Sequence, residues 1–329
     1  MQLRRIRNLI IVMLYISIAF VVAFYVLSLK YPHASAFSYE TCRATYDMQD
    51  DLFQTLNGDA PEADQHIASA AELPVVKSVS NGKASHVAVL MYHYVVPEKY
   101  NVEPNNARIN LEAFEQGMKY LHDEGYHTAT LKELEQYVRG EIQLPEKTVV
   151  LTFDDGYQNN VIYAYPVLKK YGFHANIFIV GTKLTAKTQT FVPTAKTTIS
   201  RAEMKKTADV FDYHSHTYNL HYKSLVQCAE YYVAGKDGNR FNHDIDLMKS
   251  KTGIDTPYFA YPYGEYNPQM IYDLKTHGYR MAFTVRPGYV HPGDDLMYLP
   301  RLNVTSTTTV KHLLSLPDVD DKSLVKKKQ

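Results

Sequence analysis

Residues 148–159, TVVLTFDDGYQN, constrain this chain more than any other stretch. Val149, Val150 and Leu151 make a short apolar run in a segment bounded by Gly156. That is the pattern of a strand buried in an α/β core. The run delivers two adjacent carboxylates, Asp154 and Asp155, to its carboxyl end, and Gly156 follows. Side-by-side carboxylates are costly there unless a metal ion or a shared proton neutralises one of them. The competing reading is an exposed Asp-Asp-Gly turn, a common turn composition. The rest of the chain decides between the two.

Strands and helices alternate around this segment. Residues 87–91 (VAVLM) predict a first buried strand that runs into Tyr92-His93-Tyr94. Leu111, Phe114, Met118 and Leu121 keep helical spacing, so residues 110–124 predict an amphipathic helix capped by Asn110 and stopped by Gly125. A short strand at 126–130 and a helix at 131–138 precede the central strand. A helix at 161–171, stopped by Gly172, and a strand at 175–180 follow it. Later strands are predicted at 210–213, 258–260, 280–285 and 298–304. This alternation implies parallel βαβ units. About seven of them predict an α/β fold of the distorted (β/α) barrel type. Barrels collect their chemistry at the strands' carboxyl ends. His93, Asp154, Asp155, residues 214–221 and Pro262-Tyr263 all fall there.

The second motif is residues 212–222, DYHSHTYNLHY, with His214, His216 and His221 close together. His216 and His221 are five apart, which separates them on a helix and puts them on opposite faces of a strand. They converge only if the chain bends into a loop, so they are not a helical zincin pair. Two imidazoles and a carboxylate on a barrel rim suit a first-row metal with open positions. The alternative is a polar loop with incidental histidines. The third motif is residues 259–266, FAYPYGEY. Pro262 and Gly264 predict a tight turn able to present the Tyr263 backbone N–H to an oxyanion; taken alone it is an ordinary turn.

Lys+Arg and Asp+Glu balance at 35 each, so nothing in the charge points to nucleic acid. The 28 tyrosines suit stacking on sugars. Cys42 and Cys228 form no framework or CxxC motif. At the amino end, Arg4, Arg5 and Arg7 precede an uncharged apolar run from Leu9 to Leu29, long enough to span a bilayer. It predicts one transmembrane signal-anchor helix, with the rest of the chain exported from a bacterial cytoplasm. A cleaved signal peptide ending near Ala34-Ser35-Ala36 is the alternative. The organisation predicted is an anchor at 1–30, a linker or stalk at 31–85 with a short helix near 46–56, a catalytic domain at 86–305 and a tail at 306–329. The lysines at 322–328 read as a solvated end.

The ordered set TFDDG, HTYNLH and YPYG resembles the polysaccharide deacetylases, carbohydrate esterase family four with the NodB homology domain, over roughly residues 86–305. The family usually spaces its two histidines four apart. The five-residue spacing, with the early strand ending in MYHYV, is similar to poly-β-1,6-N-acetylglucosamine N-deacetylases of the biofilm matrix. The resemblance implies that Asp155, His216 and His221 hold a divalent metal, usually zinc, and that Asp154 is the general base toward the attacking water. It implies that the Tyr263 N–H, beside Pro262, supports the oxyanion. Many family members take their general acid from a late LxIxH motif; here that region reads Leu299-Pro300-Arg301-Leu302-Asn303. In the biofilm subgroup the acid comes from the early strand, which here is His93, on the same barrel rim and of the residue type most often used for proton transfer. The family's third-motif Arg position is Ala260, so Arg301, ahead of Arg286, is left to supply that charge. No Trp is present to line an acetyl pocket; Leu302 or Phe283 is the expected substitute.

The implied activity is metal-dependent removal of N-acetyl groups from an N-acetylglucosamine polymer. Poly-β-1,6-N-acetylglucosamine is the first choice and cell-wall peptidoglycan the second. An inactive carbohydrate-binding domain on the same fold is the alternative of another class. A glycosidase needs a second acid about 5–10 Å from Asp154; none is evident, and it leaves the histidine pair unexplained.

Overall fold

The computed structural model describes residues 82–100, 106–222 and 238–318. The expected anchor, the linker up to residue 81, Cys42, Cys228 and the lysine-rich tail lie outside these residues. Among the described residues, no helix is long and apolar enough to cross a membrane.

The elements run β1 (Ala88–Tyr92), β2 (Tyr94–Val96), β3 (Arg108–Asn110), α1 (Leu111–Asp123), β4 (His127–Thr128), α2 (Leu131–Val138), β5 (Thr148–Phe153), α3 (Tyr165–Tyr171), β6 (Ala175–Ile179), α4 (Arg201–Lys206), β7 (Phe211–Ser215), α5 (Gly238–Leu247), β8 (Tyr258–Ala260), α6 (Pro268–Thr276), β9 (Met281–Phe283), β10 (Leu302–Asn303) and α7 (Val310–Ser315). The main sheet has the order β10-β1-β5-β6-β7-β8-β9. Every ladder in it is parallel. β4 pairs with the first half of β5, and β6 with its second half. At the far edge, Leu299 bridges to Phe283 of β9, and Leu302 then pairs with Leu90 of β1. One short segment thus links the two edges of the curved sheet, as in a distorted (β/α) barrel of about seven strands.

The strands are buried on both faces, as helix-covered parallel sheets require. Alternation sorts their side chains. Leu90, Tyr92, Leu151, Phe153 and Ile177 join the layer beneath the helices with Phe114, Met118 and Leu168. Val89, Val150, Phe178, Met281 and Phe283 fill the barrel interior. The same parity sends Thr152 and then Asp154 inward from β5, and His214 and then His216 inward from β7.

Several expectations need correction. Asn110 stands at the amino end of α1, but its side chain makes no capping bond. Its backbone pairs in a small parallel sheet of β2 and β3, and its N–H donates to Ser306 Oγ at 2.9 Å. The strand expected at 298–304 is regular only at Leu302–Asn303, because Pro300 has no N–H to donate and the Arg301 N–H turns to the Arg286 carbonyl. The helix expected from residue 161 opens with a π turn over Asn160–Ala164 and becomes α-helical at Tyr165. Gly172 ends it in the left-handed conformation, at φ 66°.

Near the amino end of the barrel, α2 is fastened to β8 and β9 by the buried Glu135. Its carboxylate accepts from Arg280 Nε at 2.8 Å, Tyr258 OH at 3.0 Å and Arg139 Nε at 3.1 Å. Burial raises its pKa, but bonds from Arg280, Tyr258 and Arg139 override this and hold it below the ordinary value. The lowered folded pKa means that the stabilisation is full above the unfolded carboxyl's pKa and is lost as pH falls through the folded one. Both arginines are partly exposed, which limits the magnitude. Glu135→Gln should cost about 2 kcal/mol in urea unfolding near neutrality, and the deficit should shrink on acidification.

Candidate active site

The strand ends place the three motifs together. Asp154 follows β5 inside the barrel mouth and is 2% exposed. Arg301, fully buried, grips it in a fork, with Nη1 donating to Oδ1 at 2.8 Å and Nη2 to Oδ2 at 2.7 Å. Arg301 Nη1 also reaches Thr152 Oγ1 at 3.3 Å, and its Nε donates to the Thr284 carbonyl at 2.9 Å. The guanidinium carbon lies 5.9 Å from the ring centres of both Phe178 and Phe283. Burial alone would raise the Asp154 pKa; the Arg301 charge overrides it and holds the carboxyl well below the usual range. Arg286 is placed elsewhere, its guanidinium over the Tyr298 ring. His93, at the kink between β1 and β2, sets Nε2 3.9 Å from Asp154 Oδ2.

Asp155, the next residue, leaves the strand with a left-handed backbone, at φ 73°. Its Oδ1 is buried with no hydrogen-bond partner and faces His221 Nε2 at 3.1 Å and His216 Nε2 at 4.0 Å. His216 Nδ1 lies 2.7 Å from the Ala260 carbonyl. A carbonyl only accepts, so Nδ1 carries the proton and Nε2 presents its lone pair. Burial pushes the His216 pKa down and takes that of His221 to about 3, leaving both rings neutral at neutral pH. One ligand atom from each of Asp155, His216 and His221 lies within 4.8 Å of the others. An orphaned buried carboxylate oxygen facing two neutral imidazoles is the donor set of a divalent first-row ion. These residues therefore fit a metal.

The histidine loop is held from below. The His216 N–H donates to the Ile179 carbonyl at 2.8 Å, and Thr217 turns left-handed at φ 68°. Asp244, on α5, accepts the Tyr218 N–H on Oδ2 and the Asn219 N–H on Oδ1, each at 2.7 Å. These bonds produce the bend that brings residues five apart onto one side. The loop packs so closely on Gly181 that a Cβ there would lie 2.4 Å from Tyr218 Cδ2 and 3.0 Å from its Cα. His214 is not part of the site. It is buried in the barrel between Asn176 and Thr256, and burial lowers its pKa to about 4.

The third motif forms a single 3₁₀ turn, Pro262–Gly264, with Pro262 buried and Tyr263 left-handed at φ 59°. The Tyr263 ring lies 4.8 Å from that of His221. Gly264 closes the turn at φ +72°, where a Cβ would lie 2.7 Å from the Val285 backbone N. Two pocket expectations change. Leu302 aligns with Leu90 in the helix-side layer with Val310 and Leu313, so it does not line the mouth. Phe283 stays inside the barrel, against Arg301.

Sequence reading missed Asp244 and Thr152. Thr152 had a signal, being the inward position two before Asp154. Asp244 had none, since no local pattern ties it to the loop it holds. Asp244→Ala should leave two loop N–H groups without an acceptor, costing about 2–4 kcal/mol of stability and weakening metal affinity in a titration calorimeter at least tenfold.

The family described as polysaccharide deacetylase matches residues 141–282. YxkH of Bacillus subtilis (strain 168), which carries a polysaccharide deacetylase name, is 30% identical over 229 residues, covering 69% of this chain and 74% of its own. The poly-beta-1,6-N-acetyl-D-glucosamine N-deacetylase of Escherichia coli (strain K12) is 27% identical over 252 residues, covering 66% of this chain but only 37% of that longer protein. Among solved structures, IcaB from Ammonifex degensii superposes with a TM-score of 0.59 at 29% identity, covering 70% of this chain and 96% of that one.

Proposed function

The chain belongs to the polysaccharide deacetylase family, and we propose that it hydrolyses N-acetyl groups of poly-β-1,6-N-acetylglucosamine with the help of a divalent metal, zinc first among the candidates. The observation that carries the reading is the divided aspartate pair: Asp154 locked on Arg301, and Asp155 turned toward two imidazoles. An enzyme with that pair has one carboxylate for proton transfer and one for ligation. The substrate choice is supported by the names of the similar proteins and by the five-residue histidine spacing. The apolar run from Leu9 to Leu29 supports a membrane-anchored enzyme working outside the cytoplasm.

An ion held by Asp155, His216 and His221 supplies Lewis-acid polarisation of the acetyl carbonyl and acidifies water. The chain's own groups do the rest. Asp154 accepts the proton of the attacking water. Arg301 keeps that carboxylate ionised and aimed, at the expense of some basicity. The Tyr263 N–H donates to the developing oxyanion. His93, on the same rim, donates a proton to the leaving amine. Tyr263, exposed beside His221, offers a face for a sugar ring.

Acetate release by the full chain tests this, with zinc or chelator, on β-1,6-linked N-acetylglucosamine oligomers and on peptidoglycan fragments. Zinc-dependent release from the β-1,6 oligomers is expected; release from peptidoglycan alone would replace the substrate. Arg301→Lys loses the fork, so the Asp154 pKa rises toward its ordinary value. The acid limb of the pH–rate profile should then move to higher pH, and kcat should fall by about tenfold or more. An unmoved limb would contradict the role given to Asp154.

A further inference from the structure

A second donor cluster lies at the opposite end of the barrel. His86 and His291 flank the antiparallel bridge between Val87 and Val290, whose two N–H···O bonds measure 2.8 and 2.9 Å. Residues 86 and 291 are therefore cross-strand neighbours on one face, where Cβ atoms lie about 4.5–5.5 Å apart. Their rings are 6.1 Å apart. Asp318 joins them after α7. Its Oδ2 lies 2.7 Å from His291 Nε2 and 3.4 Å from His86 Nδ1. A ligand atom from each of the three lies within 4.8 Å of the others.

We propose that His86, His291 and Asp318 form a second divalent-metal site, a structural one, that clasps the segment after α7 to the entrance of β1. The donor set, two imidazoles and one carboxylate, suits zinc with water completing the shell. Tetrahedral zinc ligands sit about 3.3 Å apart, and the two separations to Asp318 straddle that value. The other nitrogen of His291 faces a second carboxylate, with Nδ1 3.6 Å from Asp294 Oδ2. That carboxylate places negative charge beside the ring, which favours a bound cation. Asp294 is itself anchored, accepting the His291 N–H at 2.8 Å.

The frame exists without an ion. Tyr289 packs on His86 with ring centres 4.4 Å apart, and its hydroxyl is 3.0 Å from the Leu313 carbonyl and 3.2 Å from that of Leu316. These contacts bring the stretch before Asp318 against the histidine pair. Ser85 Oγ, 3.1 Å from His86 Nδ1, is exposed and can rotate away. All three donor side chains are between 28% and 36% exposed, so an ion can enter from solvent.

The test uses the full chain, stripped with a strong chelator, reloaded with zinc and dialysed against citrate. Bound zinc is then counted by atomic emission. Wild type should retain two ions per chain. His86→Ala/His291→Ala should retain one, with acetate release unchanged, and Asp155→Asn/His216→Ala should also retain one. Adding zinc to the latter should raise its melting temperature by several degrees, and joining both sets of substitutions should abolish the rise. If the double alanine variant fails to fold, Asp318→Asn, which changes a partly exposed residue, takes its place. One ion in wild type with none in Asp155→Asn/His216→Ala overturns the site, as does loss of the second ion to citrate or an unchanged count in the His86/His291 variant.

Discussion

The Arg301–Asp154 fork is the interaction on which the rest depends. A carboxylate 2% exposed at a barrel mouth is stable only with a partner. The guanidinium supplies two parallel bonds to Asp154, a third to Thr152 and a fourth to the Thr284 carbonyl. Arg301 lies in the segment that joins β9 to β1, so the pair that sets the charge of the site also ties the sheet's two edges across the central strand. Removing one partner of such a buried pair costs about 3–5 kcal/mol. The Ala260 backbone carbonyl aims His216 toward Asp155.

Backbone strain is concentrated where the chemistry is read. Among the described residues, the non-glycine residues with positive φ are Asp155, Thr217 and Tyr263. One stands in each motif. Each such conformation costs about 1–3 kcal/mol and persists only where its surroundings enforce it. At Asp155 the left-handed turn breaks the strand's alternation and keeps this carboxylate at the mouth, facing His216 and His221. At Thr217 it starts the bend completed by Asp244. At Tyr263 it forms the tight turn against His221. The buried strands around them provide the rigidity that holds all three.

Much of this was legible in the sequence because it is local. The burial of β5, the bounds of α2 and β8, and the glycine stops of α1 and α3 follow from short-range pattern. Placing the motifs at strand ends followed from the βαβ alternation. What was not legible is non-local. That an arginine, Arg301 before Arg286, was needed near Asp154 could be argued from the residues, but only the path of the chain after β9 gives the two-bonded fork. The side sheet of β2 and β3 depends on pairing across residues 97–107, and Asp244 acts on a loop far from it in sequence. Leu302 was misplaced because its outward direction is set by its register with Leu90, which an apolar letter does not reveal.

In the proposed function the adjacent aspartates divide the work, one moving a proton and one holding a metal. Zinc content and acetate release measured together on Asp154→Asn and Asp155→Asn test it most directly. Asp155→Asn should lose one bound ion and its activity, while Asp154→Asn should lose its activity and keep its full complement of zinc. Equal loss of zinc in both variants would contradict it, because the two carboxylates would then be sharing a single role.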